Sequence, residues 1–350
     1  SAGLSDKDKL AVAEFLGGGE IGDLATSPEP AQCKDQSNQF DYNEPPVFEG
    51  WGLNQASTHS IPEETAGLNK KNIASLKLKW VFGFPGALRT RSQPALAGGA
   101  IYVGSHGGTV YAFDRETGCA RWTFDASAEV RTGIVISPWE AGDKTAAPMA
   151  YFGDLIGNLY ALDAITGELT WRARPDEHPT TTLTGTPSLY QNTLYVPVSS
   201  LEVVPAAEPD YECCHFRGSV VAYDARTGKR KWQGFTIAEE PSARTPNAVG
   251  TQNYGPSGAP IWNSPAIDIE RNQLTVGTGE NYSSPASGES DAVIAFDLMT
   301  GKVNWVYQAT IGDAWNTACG REEDTNCPIE DGPDFDFGAG TMLAQDLDGI

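Results

Sequence analysis

The chain has 350 residues, with 46 acidic against 24 basic side chains and a formal net charge of −22. That balance argues against a nucleic-acid partner, which needs a basic face. The 40% hydrophobic content, with 9 Trp, 13 Phe and 12 Tyr, argues against disorder, and no apolar run approaches the roughly 18 residues of a membrane span.

At the N-terminus, Ser5-Asp-Lys-Asp8 makes a capping-box pattern ahead of Leu10, Val12, Ala13, Phe15 and Leu16, and Gly17-Gly18-Gly19 ends it. One short amphipathic helix within residues 1–19 is predicted, too short to be stable unless it packs on something. Residues 20–50 are rich in Pro and Asp and read as a linker. The chain starts at Ser1 and stops at Ile350 within what reads as a repeat unit, so it reads as part of a longer protein.

From residue 51 onward one pattern returns four times. Tyr111-Ala-Phe-Asp114-Arg-Glu-Thr117-Gly118 is followed by Trp122, and Tyr160-Ala-Leu-Asp163-Ala-Ile-Thr166-Gly167 by Trp171. Val221-Ala-Tyr-Asp224-Ala-Arg-Thr227-Gly228 precedes Trp232, and Ile294-Ala-Phe-Asp297-Leu-Met-Thr300-Gly301 precedes Trp305. A partial copy ends at Leu76-Lys-Leu-Lys-Trp80. Each copy reads as strand, tight turn, strand. The alternating stretch before Asp has period two, the Asp side chain bonds nearby backbone N–H groups, and Gly accepts positive φ. With no helical period between copies, a βαβ protein is excluded. An all-β fold of antiparallel four-stranded blades, a β-propeller, is predicted. The later copies are spaced further apart, which places two long loops at 202–217 and 237–258, where a site on a rigid ring would be built.

Of the six cysteines, Cys319 and Cys327 bracket a short polar loop and are predicted to pair, as are Cys33 and Cys119. An even count with such a pair points to an oxidising compartment. Cys213 and Cys214 are adjacent, and a strained eight-membered ring makes two thiols the ordinary reading from spacing alone.

The repeat resembles the propeller of the pyrroloquinoline-quinone (PQQ) alcohol dehydrogenases, and within them the polyvinyl alcohol dehydrogenase branch. The stretches that carry the resemblance are Gly50-Trp51-Gly52 with Leu76–Trp80, Tyr211-Glu-Cys-Cys-His-Phe-Arg-Gly218, Ala259-Pro-Ile-Trp262, and Gly312-Asp-Ala-Trp315-Asn316. The family implies eight Trp-motif blades, of which residues 51–350 would cover about five to six. In that branch a cytochrome c segment can precede the propeller, and residues 5–16 resemble its terminal helix.

The resemblance implies a site. Arg131 falls where an Arg pairs with a PQQ carboxylate, Thr184 and Ser199 where hydroxyls bind the quinone, and Trp262 where a Trp forms the floor beneath it. Glu202 and Glu280 fall where a Ca²⁺ ion is held. PQQ is flat and carries three carboxylates, so it needs an aromatic face with Arg or hydroxyl donors; oxygen ligands suit Ca²⁺; and a base must take the alcohol proton. Two departures stand out. The family's base is the Asp after Trp in an Asp-x-Trp-Asp motif; here that position is Asn316, so Asp313 is expected to act instead. The family's vicinal disulfide lies near the Arg131 loop, whereas Cys213 and Cys214 come from another loop and are expected to reach the cofactor space or line its mouth.

These readings imply a periplasmic quinoprotein dehydrogenase oxidising secondary alcohol groups, polymers such as polyvinyl alcohol included. A c-type haem, on the same chain or on a separate cytochrome, would be its electron acceptor. The alternatives are a cofactor-free propeller scaffold and a PQQ dehydrogenase for small primary alcohols.

Overall fold

The Asp-x-x-Thr-Gly turns have one geometry throughout. In the computed structural model, which describes residues 30–34, 39–48, 50–321 and 325–344, Asp114, Asp224 and Asp297 each accept the backbone N–H and the hydroxyl of the Thr three positions on, at 2.8–2.9 Å. Asp163 accepts the N–H groups of Ile165 and Thr166. The glycines that close the turns have φ of 73°, 76°, 69° and 69°, a left-handed conformation that only Gly adopts at no steric cost.

Those turns join the last two strands of four antiparallel sheets, each ordered as in the chain. Blade 1 is Ala95–Ala97, Ala100–Gly104, Thr109–Asp114 and Ala120–Asp125; blade 2 is Val135–Ile136, Met149–Gly153, Leu159–Asp163 and Leu169–Ala173. Blade 3 is Ser188–Tyr190, Thr193–Ser200, Ser219–Asp224 and Arg230–Phe235; blade 4 is Ala266–Asp268, Gln273–Gly277, Ala292–Asp297 and Val303–Gln308. Each carries a register shift at the same place, between Ala112/Phe113, Ala161/Leu162, Ala222/Tyr223 and Ala295/Phe296. The predicted β-propeller architecture is therefore present as four complete blades among the described residues.

Tryptophan joins each blade to the next. The indole N–H of Trp80, Trp122, Trp171 and Trp232 donates to the carbonyl of the residue after the next turn's Asp: Arg115, Ala164, Ala225 and Leu298, at 3.0–3.1 Å. The ring lies on the next turn's Gly, where an added Cβ would meet it at 2.8, 2.6 and 2.7 Å at Gly118, Gly167 and Gly228. One glycine thus serves both the turn and the joint. Trp305 is 42% exposed, with no following turn among the described residues.

The core lies between blades. Tyr102 and Val110 of blade 1 pack against Phe152 and Tyr160 of blade 2. The other face of blade 2, through Tyr151 and Leu159, meets Leu194 and Val196 of blade 3. Tyr195 and Val220 of blade 3 then meet Leu274 and Ile294 of blade 4. Neighbouring strand residues point to opposite faces, so each blade serves two cores.

The predicted N-terminal helix lies outside the described residues. Within the stretch read as a linker, residues 30–34 and 39–48 are tied to blades 1 and 2. Cys33 is disulfide-bonded to Cys119, Glu44 pairs with Arg115 at 2.9 Å, and Trp139 donates to the Tyr42 carbonyl. Cys319–Cys327 is also bonded as predicted. Cys213 and Cys214 are joined as a vicinal disulfide, which corrects the reading of two thiols.

Candidate active site

The segment that leads into the first strand of each blade supplies one wall of a cavity of about 850 Å³. Four positions before those strands stand Arg91, Arg131, Thr184 and Trp262, one from each blade and all on the cavity wall. Hydrogen bonds tie these segments together: Gly133 N–H donates to the Thr186 hydroxyl at 2.7 Å, and Thr186 N–H to the Ser264 hydroxyl at 2.8 Å. The repeat therefore sets the spacing of the site as well as that of the rim.

Trp262 is not a joint between blades. It is 37% exposed, on the cavity wall, with Gly338 packed against the ring so closely that a Cβ there would overlap it. Thr184 reaches the Trp262 carbonyl at 3.4 Å. Ser199 stands at the end of the long strand of blade 3, where Thr181–Thr182 pairs with it and brings the Thr184 segment alongside. Arg131 donates to Glu129 at 3.2 Å, and Arg89 holds the same carboxylate at 3.0 Å. Burial pushes the Glu129 carboxyl up, but the two guanidiniums outweigh that and hold it below its ordinary value.

Opposite the arginines the wall is acidic. Glu280 follows the second strand of blade 4, and oxygens of Glu280, Asp334 and Asp336 lie within 4.8 Å of one another. Glu280 N–H donates to Asp336 Oδ1 at 3.1 Å. Gly279 permits the approach, since a Cβ there would collide with the Asp336 carboxylate. The Asp336 segment is fixed by Asn263, whose amide donates to the carbonyls of Gly277 and Phe337 at 2.8 and 2.6 Å. Burial, then the Asp336 charge, drives the Glu280 carboxyl well above its ordinary range. Burial and the charges of Asp336 and Asp313 push Asp334 up to about 6. Carboxylates crowded in this way, without a basic partner, suit a hard cation with oxygen ligands.

Of the nine residues singled out from the sequence, the cavity gathers Arg131, Thr184, Ser199, Trp262 and Glu280. Glu202 is elsewhere. It is fully buried, and its carboxylate accepts from the N–H groups of His215 and Phe216 at 2.8 Å and from the Tyr211 hydroxyl at 3.0 Å, with His178 Nε2 at 3.3 Å. Burial pushes its pKa up, but His178 and the two backbone donors outweigh this and hold it low. Its lone pairs face the chain's own donors, and Asp334 and Asp336 take the place beside Glu280 expected of it.

Cys213 and Cys214 do not line the cavity. They are 1% and 0% exposed, packed with Phe216 and with Tyr282, whose ring does reach the cavity wall. Asp313 is also off the wall and fully buried; its carboxylate accepts the N–H groups of Asp334 at 3.4 Å and Phe335 at 3.0 Å. It grips the loop that carries Asp336, and Asp336 is the carboxylate exposed to the cavity. Asn316 is buried, donating to the carbonyls of Tyr282 and Asn326 at 2.9 and 2.8 Å.

Residues 51–320 match the family described as glucose/ethanol/alcohol dehydrogenase, beta-propeller domain, of the PQQ type. The chain belongs to this PQQ dehydrogenase propeller family. It is 36% identical over its whole length to the polyvinylalcohol dehydrogenase of a Pseudomonas species, of which it covers 56%. It is 35% identical over 93% of its length to that of a Sphingopyxis strain, of which it covers 49%. The chain thus spans about half the length of these relatives. Among solved structures, the quinohemoprotein alcohol dehydrogenase of Comamonas testosteroni superposes with a TM-score of 0.59 at 25% identity, covering 78% of this chain and 42% of that one.

The donor set fits PQQ. An exposed indole face, two arginines and the hydroxyls of Thr184 and Ser199 suit a flat tricarboxylate, and the acidic trio suits Ca²⁺. The sequence reading missed Arg91, although it stands at the same place before its blade as Arg131 does. It also missed Asp336, although Phe335-Asp336 repeats the aromatic-Asp step of the family's base motif.

Proposed function

We propose that this chain carries the catalytic propeller of a PQQ-dependent dehydrogenase acting on secondary alcohol groups, polyvinyl alcohol among them. The observation that carries this is the meeting of the exposed Trp262 face with Glu280 and Asp336 in one cavity, with Asp334 beside that pair. When bound, PQQ supplies the two-electron acceptor, and Ca²⁺ polarises its carbonyl.

The chain's own residues divide the remaining work. Arg91 and Arg131 bind carboxylates from one side; Thr184 and Ser199 add hydroxyl donors; Trp262 supplies the flat face. Glu280 and Asp334 hold the cation. Asp336, oriented through Oδ1 by the Glu280 N–H, keeps its other oxygen free of that bond and accepts the alcohol proton as the CH–OH carbon loses hydride. The cation keeps Asp336 ionised for this role. The two relatives named for the polymer support this substrate class.

A c-type cytochrome is the one-electron acceptor in this reading, and the periplasm its compartment. Three disulfides fit an oxidising environment, and no helix among the described residues is long and apolar enough to cross a membrane. The test is a dye-linked assay of the purified protein on 2-butanol and on polyvinyl alcohol. Turnover is expected only after both PQQ and Ca²⁺ are added; absence of PQQ binding in the presence of Ca²⁺ would overturn the reading.

A further inference from the structure

Blade 2 departs from the repeat at one connection. The first and second strands are joined by Gly98-Gly99 in blade 1, by Gln191-Asn192 in blade 3 and by residues 269–272 in blade 4, but by residues 137–148 in blade 2. That longer loop is pinned. Trp139 Nε1–H and Gly142 N–H both donate to the Tyr42 carbonyl, at 2.9 and 2.8 Å, and Phe40 packs on the Trp139 ring with centroids 5.1 Å apart. Together with the turn of blade 3 the loop encloses a second cavity, of about 420 Å³. The blade loops around it follow first strands or form an Asp-x-x-Thr-Gly turn, whereas those around the proposed active site precede first strands or follow second strands. The two cavities therefore lie at opposite ends of the blades.

One tyrosine is out of step at this place. Tyr102, Tyr151 and Tyr195 are each the third residue of a second strand, opposite Ala112, Ala161 and Ala222. Tyr102 and Tyr195 donate to the carbonyls of Ala164 and Leu298, each the residue after a turn's Asp, at 3.1 and 3.3 Å. Tyr151 is 1% exposed and stands on the wall of the second cavity, yet its hydroxyl makes no hydrogen bond among the described residues. The Arg226 guanidinium, on the same wall, has no ion pair or hydrogen bond among them either. A buried hydroxyl left unpaired is costly, so Tyr151 takes its partner from the cavity.

The lining selects the chemistry of that partner. Tyr151, Ser137 and Arg226 offer donors; the Ser137 hydroxyl accepts the Met149 N–H at 2.8 Å, which leaves its proton to give. Asp143 and Asn192 offer acceptors, and the faces of Trp139, Met149 and Leu189 are apolar. A hydroxyl on a carbon chain both donates and accepts and brings apolar surface with it, so it uses all three. An anion would face Asp143 in a chain of net charge −22. We propose that this cavity is a second binding site for a polyhydroxylated chain, holding a stretch of polymeric substrate on the face opposite the catalytic cavity. The proposal rests on the reading of a polymeric alcohol as substrate. A long chain held there passes round the blades, about 17–20 Å along a strand, and keeps its other segments at high effective concentration at the catalytic cavity.

The test is binding of polyvinyl alcohol to the full chain by titration calorimetry, with neither PQQ nor Ca²⁺ present. Tyr151→Phe keeps the ring in the core and Arg226→Ala changes an exposed side chain, so both variants should fold. Each should bind the polymer about 2–10-fold more weakly, the worth of one hydrogen bond. Loaded with PQQ and Ca²⁺, each should show KM for the polymer raised by a similar factor, with kcat and the kinetics on 2-butanol unchanged. No turnover of 2-butanol by the wild type, with polymer binding still weakened in the variants, would overturn the active-site reading and spare this site. No polymer binding by the wild type, or wild-type affinity in both variants, would mean that water alone meets Tyr151 and would overturn the proposal. An equal rise in KM for 2-butanol would overturn it too.

Discussion

Aspartates at the rim and aspartates at the cavity have opposite surroundings. At the rim, Thr227 and Thr300 satisfy Asp224 and Asp297 through hydroxyl and backbone donors, and both carboxyls are held below their ordinary value. For Asp114, burial pulls upward, but Arg121 and Thr117 outweigh it. At the cavity, burial and neighbouring carboxylates push Glu280, Asp291 and Asp334 upward. The difference separates structure from chemistry. A rim carboxylate is satisfied by donors of its own turn and of the neighbouring strands, Arg121, Asn192 or Asn272, whereas the carboxylates around the cavity face one another.

The contrast breaks most directly at the joints. Trp122→Ala removes a large ring, 7% exposed, together with its bond to Ala164; it should destabilise the fold by about 3–5 kcal/mol in denaturant titration. Ca²⁺ affinity of the folded variant should stay near wild type, and a coupled loss would mean that rim and cavity are not separable. At the cavity the outcome reverses. Glu280→Gln should weaken Ca²⁺ binding by at least the roughly 10–100-fold typical of losing an outer partner of a metal site, while unfolding in Ca²⁺-free buffer does not become easier.

The pH response sharpens the comparison. Asp334 and Asp291 are pushed up to about 6 and about 8. An acid whose pKa is raised by folding stabilises the fold below its unfolded value of about 3.9 and loses that contribution as pH rises through the folded value. The Ca²⁺-free protein should therefore lose melting temperature between about pH 4 and 8, and saturating Ca²⁺ should flatten the slope. Rim aspartates act in the other direction: their contribution is present above about 3.9 and is lost as pH falls through the lower folded value. The smallest effect is expected at Thr300→Val, which removes one exposed hydroxyl donor from Asp297 at 2.8 Å and should cost at most about 1 kcal/mol; a larger loss would mean that the turn does more than complete its own carboxylate.

The blades were legible because their determinants are local. Asp, Thr, Gly and Trp lie within a few residues of one another, and each contact repeats in every copy. Trp262 and Glu280 were singled out from the family resemblance, and both stand on the cavity wall at the ends of blade-4 strands. The surroundings of Glu202 were not legible because a strand-end Glu looks the same whether its carboxylate faces a channel or, as here, the N–H groups of His215 and Phe216. Asp313 was chosen because Asp313-Ala-Trp315-Asn316 imitates the base motif, while the disulfide-closed loop between Cys319 and Cys327 hides from the sequence that Asp313 lies buried against the N–H groups of Asp334 and Phe335. The vicinal disulfide followed the same rule: nothing local to Cys213-Cys214 shows that Tyr282 stands between them and the cavity.

Asp336 and Asp313 differ in which of them meets the substrate, and one comparison tests it. Asp336→Asn and Asp313→Asn are each loaded with PQQ and Ca²⁺, their bound PQQ is measured, and steady-state turnover of a secondary alcohol is followed over pH. Asp336→Asn should bind PQQ yet lose about 10²–10⁴-fold in kcat, as removal of a positioned base does. Asp313→Asn, which keeps an acceptor oxygen for one of the two N–H groups that Asp313 holds, Asp334 on Oδ1 and Phe335 on Oδ2, should keep the wild-type shape of the pH profile at reduced rate. An Asp336→Asn enzyme that binds PQQ and turns over near the wild-type rate would contradict the account.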